Sequence, residues 1–218
     1  MPFFVETRSS PVVVVAQHGG RNRVPGAAVR RMVCRADIGT WLLAERCAVE
    51  LGASFLAMNI HRSHVDANRD PTQDPFADGF ASVYVGFHIT LNNVVARTLE
   101  RHGRAFVLDV HGFTESPGPG VYDAVLGTDK NGTCDESLSN RFCASLSRHW
   151  IHTVFSPDTS HEISSGFSGG YVVRSLAKTW RSRGLNAVQI ELARDLRTPD
   201  ERLHTAHILA ESIRELFL

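Results

Sequence analysis

Apolar runs alternate with segments of helical period along most of the chain. The first run, PVVVVAQ at Pro11–Gln17, is apolar at nearly every position and dominated by valine. Such a run is typical of a strand that is buried on both faces. By the same criterion, further strands are predicted at Ser54–Ile60, Ala105–Val110, Tyr122–Gly127, His152–Phe155 and Asn186–Leu192.

Helical spacing of apolar residues occupies the stretches between these strands. In Ile38–Leu51 it is accompanied by Asp37, a candidate N-cap, and by Gly52 just past the end. Further helices are predicted at Tyr84–Arg101, at Asp135–Trp150, at Tyr171–Arg183 and after Thr198–Glu201. This alternation predicts the α/β class, as a three-layer α/β/α sandwich with a largely parallel (mixed) sheet. No stretch resembles a linker, so we expect a single domain over residues 1–218.

Charge and cysteine content limit the binding partners and the cellular compartment that we expect. Lysine plus arginine equal aspartate plus glutamate at 23 each, so no net charge draws the chain to nucleic acid or to an anionic membrane. Four cysteines without CxxC spacing indicate reduced thiols in an intracellular protein. The first residues contain Glu6, and VVVVA is too short to span a bilayer, so we expect a cytoplasmic protein with no membrane partner.

Polar residues follow the predicted strands at the edge where α/β sheets bind ligands. His18 follows the first strand, Asp109 and His111 end the strand AFVLDVHGF, and Glu191 ends NAVQI. Side chains alternate between faces along a strand, so Asp109 and His111 should point to the same side. The sequence therefore predicts imidazoles and carboxylates converging at one edge of the sheet.

Imidazoles and a carboxylate that arrive from separate strands could ligate a divalent ion, for which zinc (Zn2+) is the first candidate. Zinc lowers the pKa of a bound water to about 7, and a nearby carboxylate could take its proton. Glu191 is the candidate for this base. Arginines in HRSHVDANR, His61–Arg69, could recognise a carboxylate through paired hydrogen bonds.

Five blocks carry a resemblance to a known family. In chain order they are QHGG, RSHVDANR, DVHGF, GGYVVR and QIELARD, between Gln17 and Asp195. None is specific alone, but together their order and spacing resemble the N-formylglutamate amidohydrolase family, which is related to the zinc carboxypeptidases and aspartoacylases. The resemblance implies a phosphorylase/hydrolase-like sandwich. It also implies metal-dependent hydrolysis of a small-molecule N-acyl amino acid, most simply N-formyl-L-glutamate to glutamate and formate.

The same resemblance implies roles for individual residues. It points to His18 and His111 as metal ligands, to Glu191 as general base, and to Arg62 as the group that polarises the scissile carbonyl. The substrate contacts that we predict beside them are Asn68, Arg69, Tyr171 and Arg174.

The third metal ligand is not assigned by the sequence. The related zinc enzymes take it from H-x-x-E, whereas Arg21 stands three residues after His18. Asp109 or Asp66 could complete the site. In the aspartoacylases the aspartate of D-x-H resembles a residue that orients the histidine, which is the role we favour for Asp109.

Alternatives remain at the level of single residues. Glu191 could instead cap a helix or form an ion pair with Arg194 or Arg197. The Asp66–Arg69 segment could be an Asx turn, a role that need not exclude a substrate contact. The loop Ser164–Gly170 could be a lid or only a flexible connection. Of the remaining histidines, His161 in a polar loop is the one with the best claim to a role.

Two other functions stay open from the sequence. The first is a zinc hydrolase of the same fold that acts on another N-acyl amino acid or on a small peptide. The second is a non-catalytic relative that binds a carboxylate or a metal, which the arginine at position 21 would favour.

Overall fold

The described residues form seven strands, which make one mixed sheet at the centre of the protein. The computed structural model describes residues 1–31, 35–114, 122–155 and 167–217. The strands are β1 (Phe3–Glu6), β2 (Val12–Ala16), β3 (Ser54–Met58), β4 (Ala105–Gly112), β5 (Ala124–Gly127), β6 (Thr153–Phe155) and β7 (Leu185–Leu192). The helices are α1 (Thr40–Leu51), α2 (Ala81–His102), α3 (Glu136–Arg148), α4 (Tyr171–Trp180) and α5 (Arg202–Arg214).

The strand order is β1-β3-β2-β4-β7-β5-β6. The four strands β3, β2, β4 and β7 run parallel to one another. Strand β1 pairs antiparallel with β3, and β5 pairs antiparallel with β7, while β6 is parallel to β5. The carboxyl ends of β2, β4 and β7 therefore meet at one edge of the sheet.

Two helical layers cover the sheet, which explains the uninterrupted valine run of β2. Val12 and Val14 pack into a core with residues of α1, α3 and α5. Val13 and Val15 point to the other face, into a core with residues of α2 and α4. Both faces of β2 are thus buried, and the predicted three-layer α/β/α class is confirmed.

The structure differs from the sequence prediction in one additional strand and at the ends of several elements. Strand β1 was not predicted, and α2 begins at Ala81, three residues before the predicted start. Gly52 ends α1 in the left-handed conformation, as its position predicted.

The N-cap prediction for Asp37 is wrong. Helix α1 begins at Thr40 after Gly39, whose φ of 92° lies in the left-handed region that glycine favours. This turn places Asp37 before the helix, where its backbone N–H donates to the carbonyl oxygen of His18. The carboxylate of Asp37 is then directed to the sheet edge rather than to the helix.

Among the described residues, no helix combines the length and the apolar composition that crossing a bilayer requires. Of the four cysteines, Cys47, Cys134 and Cys143 carry free thiols, and Cys34 lies outside the described residues.

Candidate active site

Three potential metal donors converge at the carboxyl edge of the sheet. His18 follows β2, His111 lies near the end of β4, and Asp37 lies in the loop before α1. The Nδ1 atoms of the two histidines are 3.0 Å apart. Oδ2 of Asp37 lies 3.4 Å from Nδ1 of His18 and 3.2 Å from Nδ1 of His111. All three side chains are buried.

The spacing of these donors fits a divalent ion. Ligands at the bond lengths usual for zinc, 2.0–2.2 Å, lie about 3.3 Å apart in a tetrahedral site. The three separations here cluster around that value. Three donors leave one tetrahedral position open, which is the pattern of catalytic rather than structural zinc sites.

Asp37 is the residue that the sequence analysis missed at this site. It stands just before a helix at the carboxyl edge, and that position favoured the interpretation as a cap. The signal that could have identified it is the one that selected His18 and His111, namely that α/β sheets bind ligands at the carboxyl ends of their strands. Arg21, by contrast, is exposed and lines a separate surface pocket.

A carboxylate orients each histidine from behind. Nε2 of His18 lies 2.7 Å from Oδ1 of Asp66, and Nε2 of His111 lies 3.2 Å from Oδ2 of Asp109. These contacts leave both Nδ1 atoms directed toward Asp37. Carboxylates in this position fix the tautomer and the orientation of metal-binding imidazoles. The contact also confirms that Asp109 and His111 point to the same side of β4.

Asp66 is the most heavily paired carboxylate of the site. Its Oδ2 accepts hydrogen bonds from Arg30 (3.1 Å), Arg62 (3.0 Å) and Arg69 (3.2 Å). Burial alone would raise the pKa of Asp66, but His18 and Arg62 outweigh it and hold that pKa well below its usual range. With both oxygens engaged, Asp66 supports His18 rather than supplying the third donor.

The Asx turn that the sequence left open is also present at Asp66. The backbone N–H of Asn68 donates to Oδ1 of Asp66 over 3.2 Å. The turn and the pairing with His18 share the same oxygen atom, so the two roles coexist.

Glu191 lies directly opposite His111 in the register of β4 and β7. Its Oε1 is 3.8 Å from Nδ1 of His111 and accepts a hydrogen bond of 3.0 Å from Nε2 of Gln189. Burial raises the pKa of Glu191 to about 7, with His111 opposing the shift and Asp37 adding to it. Within the described part of the chain, Glu191 forms no ion pair with an arginine of the following turn.

A cavity of about 420 Å³ opens above these groups. Its wall carries three arginines, Arg62, Arg69 and Arg174, and the rings of Phe113 and Phe167. The further lining residues are His18, Asp37, Asp66, Asn68, Gln73, His111, Gly112, Gly169, Gly170 and Glu191. The cavity thus joins the donor group, the candidate base and a cationic wall.

Asn68 lines the cavity, but protein groups already occupy its amide. Its Oδ1 accepts a hydrogen bond of 3.0 Å from the backbone N–H of Val172, and its Nδ2 donates to Oε1 of Gln189 over 3.2 Å. Gly170 leaves room for this amide, because a Cβ there would collide with it. Asn68 therefore ties the start of α4 to the site, a contact that differs from the predicted one with substrate.

Tyr171 is not among the described residues that line the cavity. Its ring lies 5.5 Å from the imidazole of His88, centroid to centroid, on the α2 side of α4. The structure therefore offers no support for the predicted substrate contact of Tyr171. Two further predictions, for His161 and for the Ser164–Gly166 part of the glycine-rich loop, lie outside the described residues.

Gln189 is a second site residue that sequence reasoning passed over. It is buried, and besides Glu191 and Asn68 it contacts the backbone N–H of Gly170 through Oε1 at 2.7 Å. Its position two residues before Glu191 in β7 places both side chains on one face, and this alternation was the available signal.

Several solved structures share this fold. An N-formylglutamate amidohydrolase from Ralstonia eutropha JMP134 is 19% identical, with a TM-score of 0.74 over 99% of this chain and 97% of that one. A gene product of Agrobacterium tumefaciens is 18% identical, with a TM-score of 0.74 over 99% and 94% of the two chains. The CwlD amidase from Clostridioides difficile, solved with the GerS lipoprotein, is 12% identical, with a TM-score of 0.50 over 94% and 97%. At these identities the likeness concerns the fold.

A comparison with curated proteins gave no significant match. The family model described as N-formylglutamate amidohydrolase matches residues 76–197, more than half of the chain. The matched segment contains His111, Gln189 and Glu191, whereas His18 and Asp37 lie before it. The chain therefore belongs to the N-formylglutamate amidohydrolase family and is a hydrolase that acts on an amide bond.

Proposed function

We propose that the protein is a metal-dependent hydrolase that cleaves the amide of a small N-acyl amino acid, most simply N-formyl-L-glutamate to L-glutamate and formate. One observation carries the proposal. Nδ1 of His18, Nδ1 of His111 and Oδ2 of Asp37 converge within 3.0–3.4 Å of one another, beside Glu191 and below a wall of arginines.

His18, Asp37 and His111 would hold the metal. Two imidazoles favour zinc among the common divalent ions. A bound ion of this kind polarises the scissile carbonyl and makes water acidic enough to lose a proton near neutral pH. Asp66 and Asp109 keep the two imidazoles in the required tautomer.

Glu191 moves the proton. Its carboxylate accepts a proton from the attacking water and returns it to the nitrogen of the leaving amine. Burial raises the pKa of Glu191 to about 7, which suits a group that must both accept and release a proton at neutral pH. The hydrogen bond from Gln189 holds one oxygen of the carboxylate in place.

The three arginines of the cavity wall stabilise the oxyanion and bind the substrate carboxylates. Arg62 lies between Asp37 and Asp66 on the cavity wall, where its charge stabilises the oxyanion that forms at the carbonyl. Arg69 and Arg174 line the same cavity and bind the carboxylates of the acyl amino acid. A dicarboxylate such as N-formyl-L-glutamate matches a wall with several guanidinium groups.

The test combines metal content with hydrolysis. Protein purified without chelator or histidine tag should contain about one zinc per chain by mass spectrometry. Formate release should be fastest with N-formyl-L-glutamate and slower with N-formyl-L-leucine, which lacks the second carboxylate. Comparing N-acetyl-L-glutamate and a glutamyl dipeptide then decides which acyl group is preferred.

Isosteric variants separate the roles. Asp37→Asn should lose both zinc and activity, whereas Glu191→Gln should keep zinc and lose activity. Asp135→Asn is the matched control. Asp135 pairs with Arg181 on the surface, and neither residue lines the cavity of the candidate site. If Asp37→Asn binds zinc as tightly as the wild type, the assigned metal site is wrong.

A further inference from the structure

We infer that Arg197 is the positioning residue that holds Asp37, His111 and Glu191 in one arrangement. This inference rests on the proposed function of those three residues. Arg197 ends a short 3-10 turn, Asp195–Arg197, after β7, and only 6% of it is exposed.

The guanidinium of Arg197 donates to backbone carbonyls of three separate segments. Nε donates to the carbonyl oxygens of Leu192 (3.1 Å) and Ala193 (3.3 Å). One terminal nitrogen donates to the carbonyl oxygen of Phe113 over 2.7 Å, and the other donates to that of Ile38. Arginine alone offers this many donors in one rigid plane.

Each of these carbonyls lies next to a residue of the active site. Ile38 directly follows Asp37, Leu192 directly follows Glu191, and Phe113 is two residues beyond His111. Strand pairing already aligns His111 with Glu191, but the Asp37 segment is a loop outside the sheet. Arg197 joins that loop to the ends of β4 and β7, and so fixes Asp37 relative to His111 and Glu191.

The surrounding backbone leaves room for this side chain. A Cβ at Gly112 would collide with the guanidinium of Arg197. A Cβ at Gly39 would collide with the backbone carbonyl oxygen of Arg197. Gly39 also has a left-handed φ of 92°. Two glycines, one beside a histidine ligand and one in the Asp37 loop, therefore let the arginine approach both segments closely.

Arg197→Met tests this role, since it keeps the unbranched stem of the side chain and removes the guanidinium donors. We expect the zinc dissociation constant, measured by competition with a chelating dye, to rise about 10–100-fold, as for other groups that orient ligands. Arg197→Lys keeps the charge without the planar fork and should recover part of the affinity. Arg181→Gln is the control, because Arg181 contacts the opposite end of β7 through the carbonyl of Leu185.

Hydrogen exchange of the metal-free protein provides a second measurement, independent of activity. In Arg197→Met, exchange should increase in the peptides that cover residues 37–40 and 111–114, and stay unchanged in α3. An equal increase in α3 would mean that Arg197 only stabilises the fold, and a zinc dissociation constant within twofold of wild type would also overturn the inference. If the wild type takes up no zinc, the proposed function fails, while the exchange pattern still decides whether Arg197 ties the segments together.

Discussion

His111 and Glu191 face each other across β4 and β7, with Nδ1 of the histidine 3.8 Å from Oε1 of the glutamate. Two paired strands of the central sheet thus set the distance between a candidate metal ligand and the candidate base. Sites on strands are held more accurately than sites on loops, because the backbone hydrogen bonds of the sheet resist displacement. The relationship makes Glu191 the residue whose chemistry is most directly testable.

The rate of hydrolysis should depend on the ionisation of Glu191. Only the carboxylate accepts a proton, and burial raises its pKa to about 7. A bound cation favours the ionised form of Glu191. In the pH profile of kcat/KM, the fall on the acid side should therefore begin at or below pH 7. We expect kcat/KM to fall about tenfold per pH unit below that point. A profile that stays flat down to pH 4 would exclude Glu191 as the base.

Removing the carboxylate should abolish proton transfer without removing the metal. Glu191→Gln should lower kcat by about 10²–10⁴-fold with little change in KM, because general base catalysis contributes that much. Glu100→Gln, an exposed position at the end of α2, should leave kcat unchanged. Steady-state kinetics at matched zinc occupancy provide the measurement.

Asp66 should matter for stability as well as for activity. In Asp66→Asn, the buried guanidinium of Arg30 and its two neighbours lose their shared carboxylate. Loss of one partner of a buried ion pair costs about 3–5 kcal/mol, which urea denaturation would show as a lower free energy of unfolding. The control Asp135→Asn breaks a surface pair and should cost about 1 kcal/mol or less. If the two substitutions lower the free energy of unfolding equally, Asp66 is not the shared buried partner of the three arginines.

His88 should make the fold sensitive to acid. It packs between Tyr84 and Tyr171, and burial lowers its pKa from 6.5 to about 4. The folded state therefore prefers the neutral ring. This contribution is fully present above pH 6.5 and is lost as the pH falls toward 4, by up to about 3 kcal/mol.

The His88→Gln variant isolates that contribution. Its free energy of unfolding should change less between pH 6.5 and 4 than that of the wild type. His204→Gln, on the exposed face of α5, should follow the wild-type curve. A His88→Gln curve parallel to wild type over this range would show that His88 does not titrate abnormally.

Two glycine-to-alanine substitutions should act in opposite directions. In Gly170→Ala the new methyl group collides with the amide of Asn68, so both stability and kcat should fall. In Gly86→Ala, within α2, the methyl group only meets the ring of Phe3 at 3.6 Å. Alanine is the better helix former, so Gly86→Ala should stabilise the protein by about 0.5–1 kcal/mol. Thermal unfolding of both variants checks this contrast.

Much of the fold was predictable because it is encoded locally. The valine run of β2 and the helical spacing of α1 determine strand and helix without knowledge of their partners. The edge rule then placed His18, His111 and Glu191 together, since the carboxyl ends of parallel strands meet. Strand β1 escaped prediction because its short segment has two half-buried and two exposed residues and none that is fully buried, which leaves a weak pattern.

The tertiary structure decided which distant residues contact one another at the site. Asp37 and His111 are 74 positions apart, and no local pattern shows that the left-handed turn at Gly39 directs Asp37 to the two histidines. The contacts of Arg197 with three distant segments are equally invisible in the sequence. The sequence by itself determined the helices, the strands other than β1 and the polar residues at the carboxyl ends of β2, β4 and β7, because periodicity and burial are local properties. The approach of Asp37 to the two histidines and the contacts of Arg197 were decided by packing between segments, which depends on the whole chain.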